Sequence, residues 1–218
     1  MRGGKLCHSY SIFPCQEHKM PKFMKKSLLI LIASAASTWV FADSPKEQIH
    51  YLEQSRATAH EFMQSLGRKL KSLLETADTE NAIIVCKQIA PAMAADYSKD
   101  GWIVKRVSLK SRNKSMGVPD TWERRELEGF DRHHLSGEPT DELEMSAIVD
   151  EADGLWFRYL KAIPTQPMCL QCHGKAEDMP DGVKAILAHE YPNDDAINYS
   201  VGEIRGAISI KRQISAHE

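Results

Sequence analysis

Three features of the 218-residue chain predict an α+β fold with an antiparallel sheet. Apolar residues recur at steps of three, four or seven across residues 45–77, and from Gly101 onward the period changes to two. The strand candidates then follow one another in hairpin order. Helices first and strands afterwards indicate α+β instead of a βαβ array, and an all-helical chain would not read this way.

The first helix is expected over residues 45–77. Its inner face is marked by Ile49, Leu52, Ala59, Phe62 or Met63, Leu66, Leu70 and Leu73 or Leu74. Such a stripe covers a core or pairs with a second copy of the chain, so a homodimer is one expectation. His50 and His60 fall on the polar side. Asp78 and Thr79 then offer capping oxygens to a second helix over 82–89. On it Cys86 shares a face with Ala82, Ile83, Ile89 and Ala90 and points inward. Pro91 has no N–H, so it leaves the Lys87 carbonyl without a helical partner and should bend or end the helix just past the cysteine.

Residues 102–109 are β-branched at period two and read as a strand, followed over 111–120 by a loop rich in turn formers. A short helix over 121–130 has Asp120 as its cap and Trp122, Leu127 and Phe130 inward. His133 and His134 open a loop to Pro139. Strands over 144–150 and 155–162 form a hairpin through Asp153-Gly154. A short helix over 183–189, a polar loop from Tyr191 and a last strand over 206–211 complete the reading.

Between the hairpin and that last helix lies Met168-Cys169-Leu170-Gln171-Cys172-His173-Gly174. Two cysteines two residues apart, followed at once by histidine, have the pattern that attaches haem covalently. Each thiol adds across a vinyl group, and the next residue places its imidazole under the iron. Gly174 is expected to let the chain leave closely past the porphyrin. A zinc site built from Cys169, Cys172, His173 and Cys86 would lack a second closely spaced ligand pair. A redox disulfide would sit in a thioredoxin-like βαβ unit, which is not found.

The N-terminus predicts export. Lys25-Lys26, an apolar run into small residues and Val40-Phe41-Ala42 before Asp43 are the three parts of a secretory signal. Residues 1–23 read as an over-extended start, 24–42 as the signal peptide, and 43–218 as a single exported, periplasmic domain. The run from Leu28 to Ala42 falls short of the ~20 residues of a membrane span, so no membrane insertion is expected after cleavage. The leader holds six basic residues and one acidic, and its removal takes the formal net charge from −2 to −7. A chain this acidic is a poor partner for nucleic acid or anionic lipid. Cys86, Cys169 and Cys172 remain, and haem would consume two. By position alone Cys86 reads as a small buried hydrophobe, yet an odd thiol in an oxidising compartment calls for an explanation.

An ordered set of motifs narrows the reading. Ile84-Val85-Cys86-Lys87-Gln88-Ile89-Ala90-Pro91 is followed by Ser108-Leu109-Lys110-Ser111-Arg112-Asn113, Pro119-Asp120 with Trp122-Glu123, and Arg158-Tyr159. After the cysteine motif come Tyr191-Pro192 and Gly202-Glu203-Ile204-Arg205-Gly206-Ala207. Together they resemble the monohaem c-type family with a PAS-like fold, known as small exported haem proteins and as sensor regions of membrane signalling proteins. The resemblance implies a PAS-like antiparallel sheet, one covalent haem c, and iron held between His173 and Cys86. A coordinated sulfur would also account for the odd thiol. The loop after Arg112-Asn113 departs from the family pattern: Lys114-Ser115-Met116-Gly117 stand where a proline is expected.

Rival sixth ligands by residue type are Met93, Met116, Met168, Met179, His133, His134 and His189. Propionates need donors, and Arg112 and Arg158 are candidates because guanidinium pairs bidentately with carboxylate; either could equally be an ordinary surface charge. Thiolate ligation would favour ferric iron and give a potential well below that of a His/Met cytochrome. It would also let Cys86 leave on reduction and admit a diatomic gas. Three classes of function follow: electron transfer or redox sensing with an exported partner, a gas sensor signalling through a separate output protein, and a peroxidase-like enzyme. The last needs open iron with acid and base groups over it, so a sulfur closing the iron counts against it and no enzyme is expected.

Overall fold

The computed structural model describes residues 45–216, all within one compact unit, Phe41–Glu218. The signal peptide and its cleavage site lie outside the described residues. No described helix is long and apolar enough to cross a membrane.

Four antiparallel strands form one sheet in the order β1-β4-β3-β2, where β1 is Trp102–Val107, β2 Glu144–Glu151, β3 Gly154–Pro164 and β4 Ile204–Ala216. The α+β class and the antiparallel, PAS-like sheet expected from sequence are what the chain forms. Because side chains alternate across a strand, the sheet has two apolar faces. Val104, Phe157, Tyr159, Ile208 and Ile210 pack against Ala59 and Phe62 of α1 (Pro45–Thr76), with Met93, Ala94 and Tyr97 of α2 (Thr79–Tyr97) beside them. Val107, Leu160, Ala162 and Ala207 pack on the other side against Trp122, Leu127 and Phe130 of α3 (Thr121–Leu135).

Local chemistry explains most boundaries. Asp78 caps α2 by accepting from the Asn81 N–H at 2.8 Å. Asp120 and Glu123 form a reciprocal capping box at the start of α3. Gly154 opens β3 at φ +139, where a Cβ would stand 1.9 Å from the Ser215 carbonyl oxygen; only glycine fits this hairpin end.

Three expectations are corrected. α2 does not stop near Pro91 but runs on to Tyr97. Lys87, whose carbonyl the proline strands, is exposed to water, and burial of Met93, Ala94 and Tyr97 beyond the proline offsets its cost of about 3 kcal/mol. α3 is one turn longer than read, so His133 and His134 end a helix instead of opening a loop. Ile49 is 57% exposed, since α1 begins before it reaches the sheet.

Candidate functional site

The cysteine motif forms a compact turn: a 3-10 turn, Pro167–Cys169, leads straight into α4 (Leu170–His173). Gly174 ends it, and a Cβ there would stand 2.6 Å from the Leu170 carbonyl oxygen. The turn's own backbone therefore already requires glycine at this position. Cys86, Cys169 and Cys172 are all free thiols and half-buried.

Packing brings α2 to this turn. Cys172 lies against a cluster of Ile83 from α2, Met179, and Val183 and Leu187 from α5 (Asp181–Glu190). Lys87, next to Cys86, pairs with Glu190 at 2.9 Å and lies 5.3 Å from the Tyr191 ring. Gly182 lets α5 approach α2 so closely that a Cβ there would stand 2.2 Å from Glu80 Oε1. Cys86, also on α2, lies close enough for its charge to be felt at Cys172.

His173 is held by the loop after α5. Its Nδ1 lies 2.7 Å from the Ala196 carbonyl oxygen, an atom that can only accept, so Nδ1 carries the proton and Nε2 keeps its lone pair. Nε2 has no hydrogen-bond partner among the described residues. Burial, followed by the charges of Arg205, Arg112 and Arg106, holds the imidazole well below its usual value, against the pull of the Ala196 carbonyl. A neutral ring with a free Nε2 is the form a metal requires.

Arg112 organises this loop. Its guanidinium pairs with Asp194 at 2.8 Å and donates to the carbonyls of Cys172 and Ala196, while Asp194 Oδ1 accepts from the Ala196 N–H at 2.8 Å. The two residues together clamp the motif turn and the carbonyl that orients His173. Tyr199 meets His173 edge-on at 6.2 Å and donates its backbone N–H to the His173 carbonyl at 2.9 Å. The loop that lacks the family's proline is closed instead by the Asn113 carbonyl, which accepts from Gly117 N–H at 2.8 Å.

Burial raises the thiol of Cys86, with Arg106 and Lys69 pulling the other way. It raises that of Cys172 too, opposed chiefly by the charge of Arg112. Neither sulfur is a thiolate by virtue of the protein alone, so a metal that took either as a ligand would have to displace its proton.

Arg158 is not at this site. It lies on the α3 face, 3% exposed, paired with Asp120 at 2.6 Å, Glu151 at 2.9 Å and Glu123 at 3.3 Å, and 4.7 Å from the Trp122 ring. Against the sequence reading of Arg158 as a propionate partner, three carboxylates already meet its two Nη groups, while its Nε is buried without an acceptor. Among the rival ligands, Met93 and Met179 are core residues, Met116 is 51% exposed, and His133 and His189 are exposed and paired with Glu138 and Glu190. His134 lines a cleft of about 230 Å³ with Leu109, Asp131 and Glu203, whose wall also includes Tyr199, the ring that meets His173 edge-on. No three His, Cys, Asp or Glu side chains among the described residues are gathered as a metal ion alone would need.

A protein-family model described as Tll0287-like matches residues 40–212. The chain belongs to the Tll0287-like family. A solved structure, titled as the crystal structure of the cyanobacterial heme-protein Tll0287, superposes with a TM-score of 0.58 at 22% identity, covering 81% of this chain and 100% of that one. No curated protein matches. The Tll0287-like match runs from before α1 into β4, so it includes Cys86, the motif turn and the Asp194 loop.

Residues that sequence reasoning missed are Asp194, Ala196, Tyr199, Arg106 and Arg205. Arg106 had a signal: at period two it falls on the same face of β1 as buried Val104, where a charge is out of place. The Ala196 contribution is a backbone carbonyl and leaves no trace in residue type.

Proposed function

We propose that this chain is an exported, periplasmic monohaem c-type cytochrome. Cys169 and Cys172 bind the haem through thioethers, and His173 and Cys86 hold the iron from opposite sides. It serves electron transfer or redox sensing with an exported protein partner and is not an enzyme. The observation that carries this reading is the neutral His173, its Nδ1 tied to Ala196 and its Nε2 free, on the same turn as two free thiols, with a third on α2 close to Cys172. Membership of the Tll0287-like family, whose cyanobacterial relative is titled a heme-protein, supports it.

The residues present fit the group. Covalent haem supplies one-electron chemistry at iron. The chain's part is to fix two sulfurs on one short turn, present an imidazole of defined tautomer, and bring a sulfur from another helix. Thiolate charge from Cys86 favours the ferric form, so a low reduction potential is expected.

Optical and electron-paramagnetic spectra of the ferric protein test the ligand pair. Low-spin iron with a thiolate signature, lost in Cys86→Ser, supports it; high-spin iron in the wild type overturns it and reopens the enzyme reading.

A further inference from the structure

Three guanidiniums surround His173, and only one has a counter-ion. Arg112 is neutralised by Asp194 at 2.8 Å. Arg205 is 6% exposed and donates from Nη1 to Ser108 Oγ at 3.1 Å and to the Lys110 carbonyl at 3.4 Å. Its Nε is buried with no acceptor, and it pairs with no carboxylate among the described residues. Arg106, half-buried on the helix-facing side of β1, makes no side-chain hydrogen bond or ion pair among the described residues. Its charge is felt at Cys86, Cys169 and His173, and Arg205 stands 5.3 Å from the ring of Tyr199, which abuts His173.

Two such charges side by side in a half-buried place are costly without anions to meet them. The lack is visible in both: burial, then the charge of Arg106, pushes Arg205 down to about 9, and burial also lowers Arg106. The uncompensated charge at the site is two, and a haem brings two propionate carboxylates, a shape guanidinium pairs with bidentately.

We infer that Arg106 and Arg205 are the cationic partners of the two haem propionates, and that Arg112, a propionate candidate by sequence, is instead a positioning residue for the motif turn and His173. The inference rests on the haem reading above. It replaces the sequence-based pair of arginines with one of which neither member is already claimed by a carboxylate. The two strands place them together: Arg106 is opposite Ile208 on β4, and Arg205 is the second residue of that strand, next to Gly206, whose φ of +149 and close approach to the Val107 carbonyl admit only glycine.

The test uses the full chain matured in a haem-attaching host, with Arg106→Lys, Arg106→Met, Arg205→Lys and Arg205→Met, and Arg158→Lys for comparison. Each variant is weighed for its haem adduct, and its propionate vibrations are read by resonance Raman alongside its midpoint potential. Lysine keeps the charge and the fold but not the bidentate pairing. The propionate bands are expected to shift in both Lys variants at near-unchanged potential. The Met variants are expected to lower the potential, because removing positive charge favours ferric iron. Bands unmoved in adduct-bearing Arg106 and Arg205 variants, or moved by Arg158→Lys, would overturn the pairing and leave the haem reading standing. A wild type without adduct would remove both.

Discussion

The Ala196 carbonyl oxygen stands 2.7 Å from His173 Nδ1, and Asp194 and Arg112 hold that carbonyl in place from behind. The imidazole is thus oriented by a backbone atom, with an ion pair as its support. Loss of such an outer contact costs about ten- to a hundredfold in ligand affinity for a metal. Asp194→Asn and Arg112→Met are therefore expected to keep the haem adduct yet lower the iron–histidine stretching frequency of the ferrous protein. An unchanged stretch in both would mean that the clamp does not reach the ligand.

Reduction probes the opposite side. Cys86 is half-buried and its thiol is raised by burial, so the neutral thiol is an available resting form once ferrous iron no longer holds the thiolate. The ferrous protein is expected to bind carbon monoxide, and Cys86→Ser to bind it faster. Ferrous protein that stays six-coordinate and refuses the gas would exclude a redox-opened site.

Arg158 belongs to stability. It is 3% exposed and shares buried Glu123 with Lys105 at 3.0 Å and Ser209 at 2.6 Å. Removing one partner of a buried charge cluster costs about 3–5 kcal/mol, because the others lose their counter-charge. Arg158→Met should lower the melting temperature by roughly 6–20 °C for a domain of this size, with the haem spectrum unchanged. A spectral change without loss of stability would return Arg158 to the haem.

The same cluster sets a pH dependence. Burial pushes the Asp120 carboxyl up, but the hydrogen bond and charge of Arg158 and the Glu123 N–H more than reverse this, leaving it below its ordinary value of 3.8. A carboxylate so depressed contributes stability that is complete above the ordinary value and is lost as pH falls through the lower folded one. Asp120→Asn keeps a helix-capping side chain but loses the charge. Melting curves of the two proteins should differ at neutral pH and converge as the pH falls below the ordinary carboxylate value. A constant gap at every pH would assign the effect to the cap alone.

Much of this was legible because period and turn chemistry act locally. Asp120 with Glu123 gave the start of α3, and Asp153-Gly154 gave the hairpin; the Cys169–His173 spacing marked the short turn that carries both sulfurs and the imidazole. The length of α2 past Pro91 was not legible, since tertiary burial of Met93 and Tyr97 overrides the local break. Nor was the role of Arg158: its type suits a propionate, and only the sheet register places it among Asp120, Glu123 and Glu151 on the far face. The support for His173 escaped because Ala196 contributes a carbonyl and Asp194 lies in a loop read only as polar.

Covalent attachment at Cys169 and Cys172 is the claim beneath all of these, and intact mass of the protein matured in a haem-attaching host tests it most directly. The account predicts polypeptide plus one haem, retained through denaturation, with a two-thioether pyridine haemochrome that becomes a one-thioether spectrum in Cys169→Ser or Cys172→Ser. The mass of bare polypeptide, or haem released on denaturation, would contradict it.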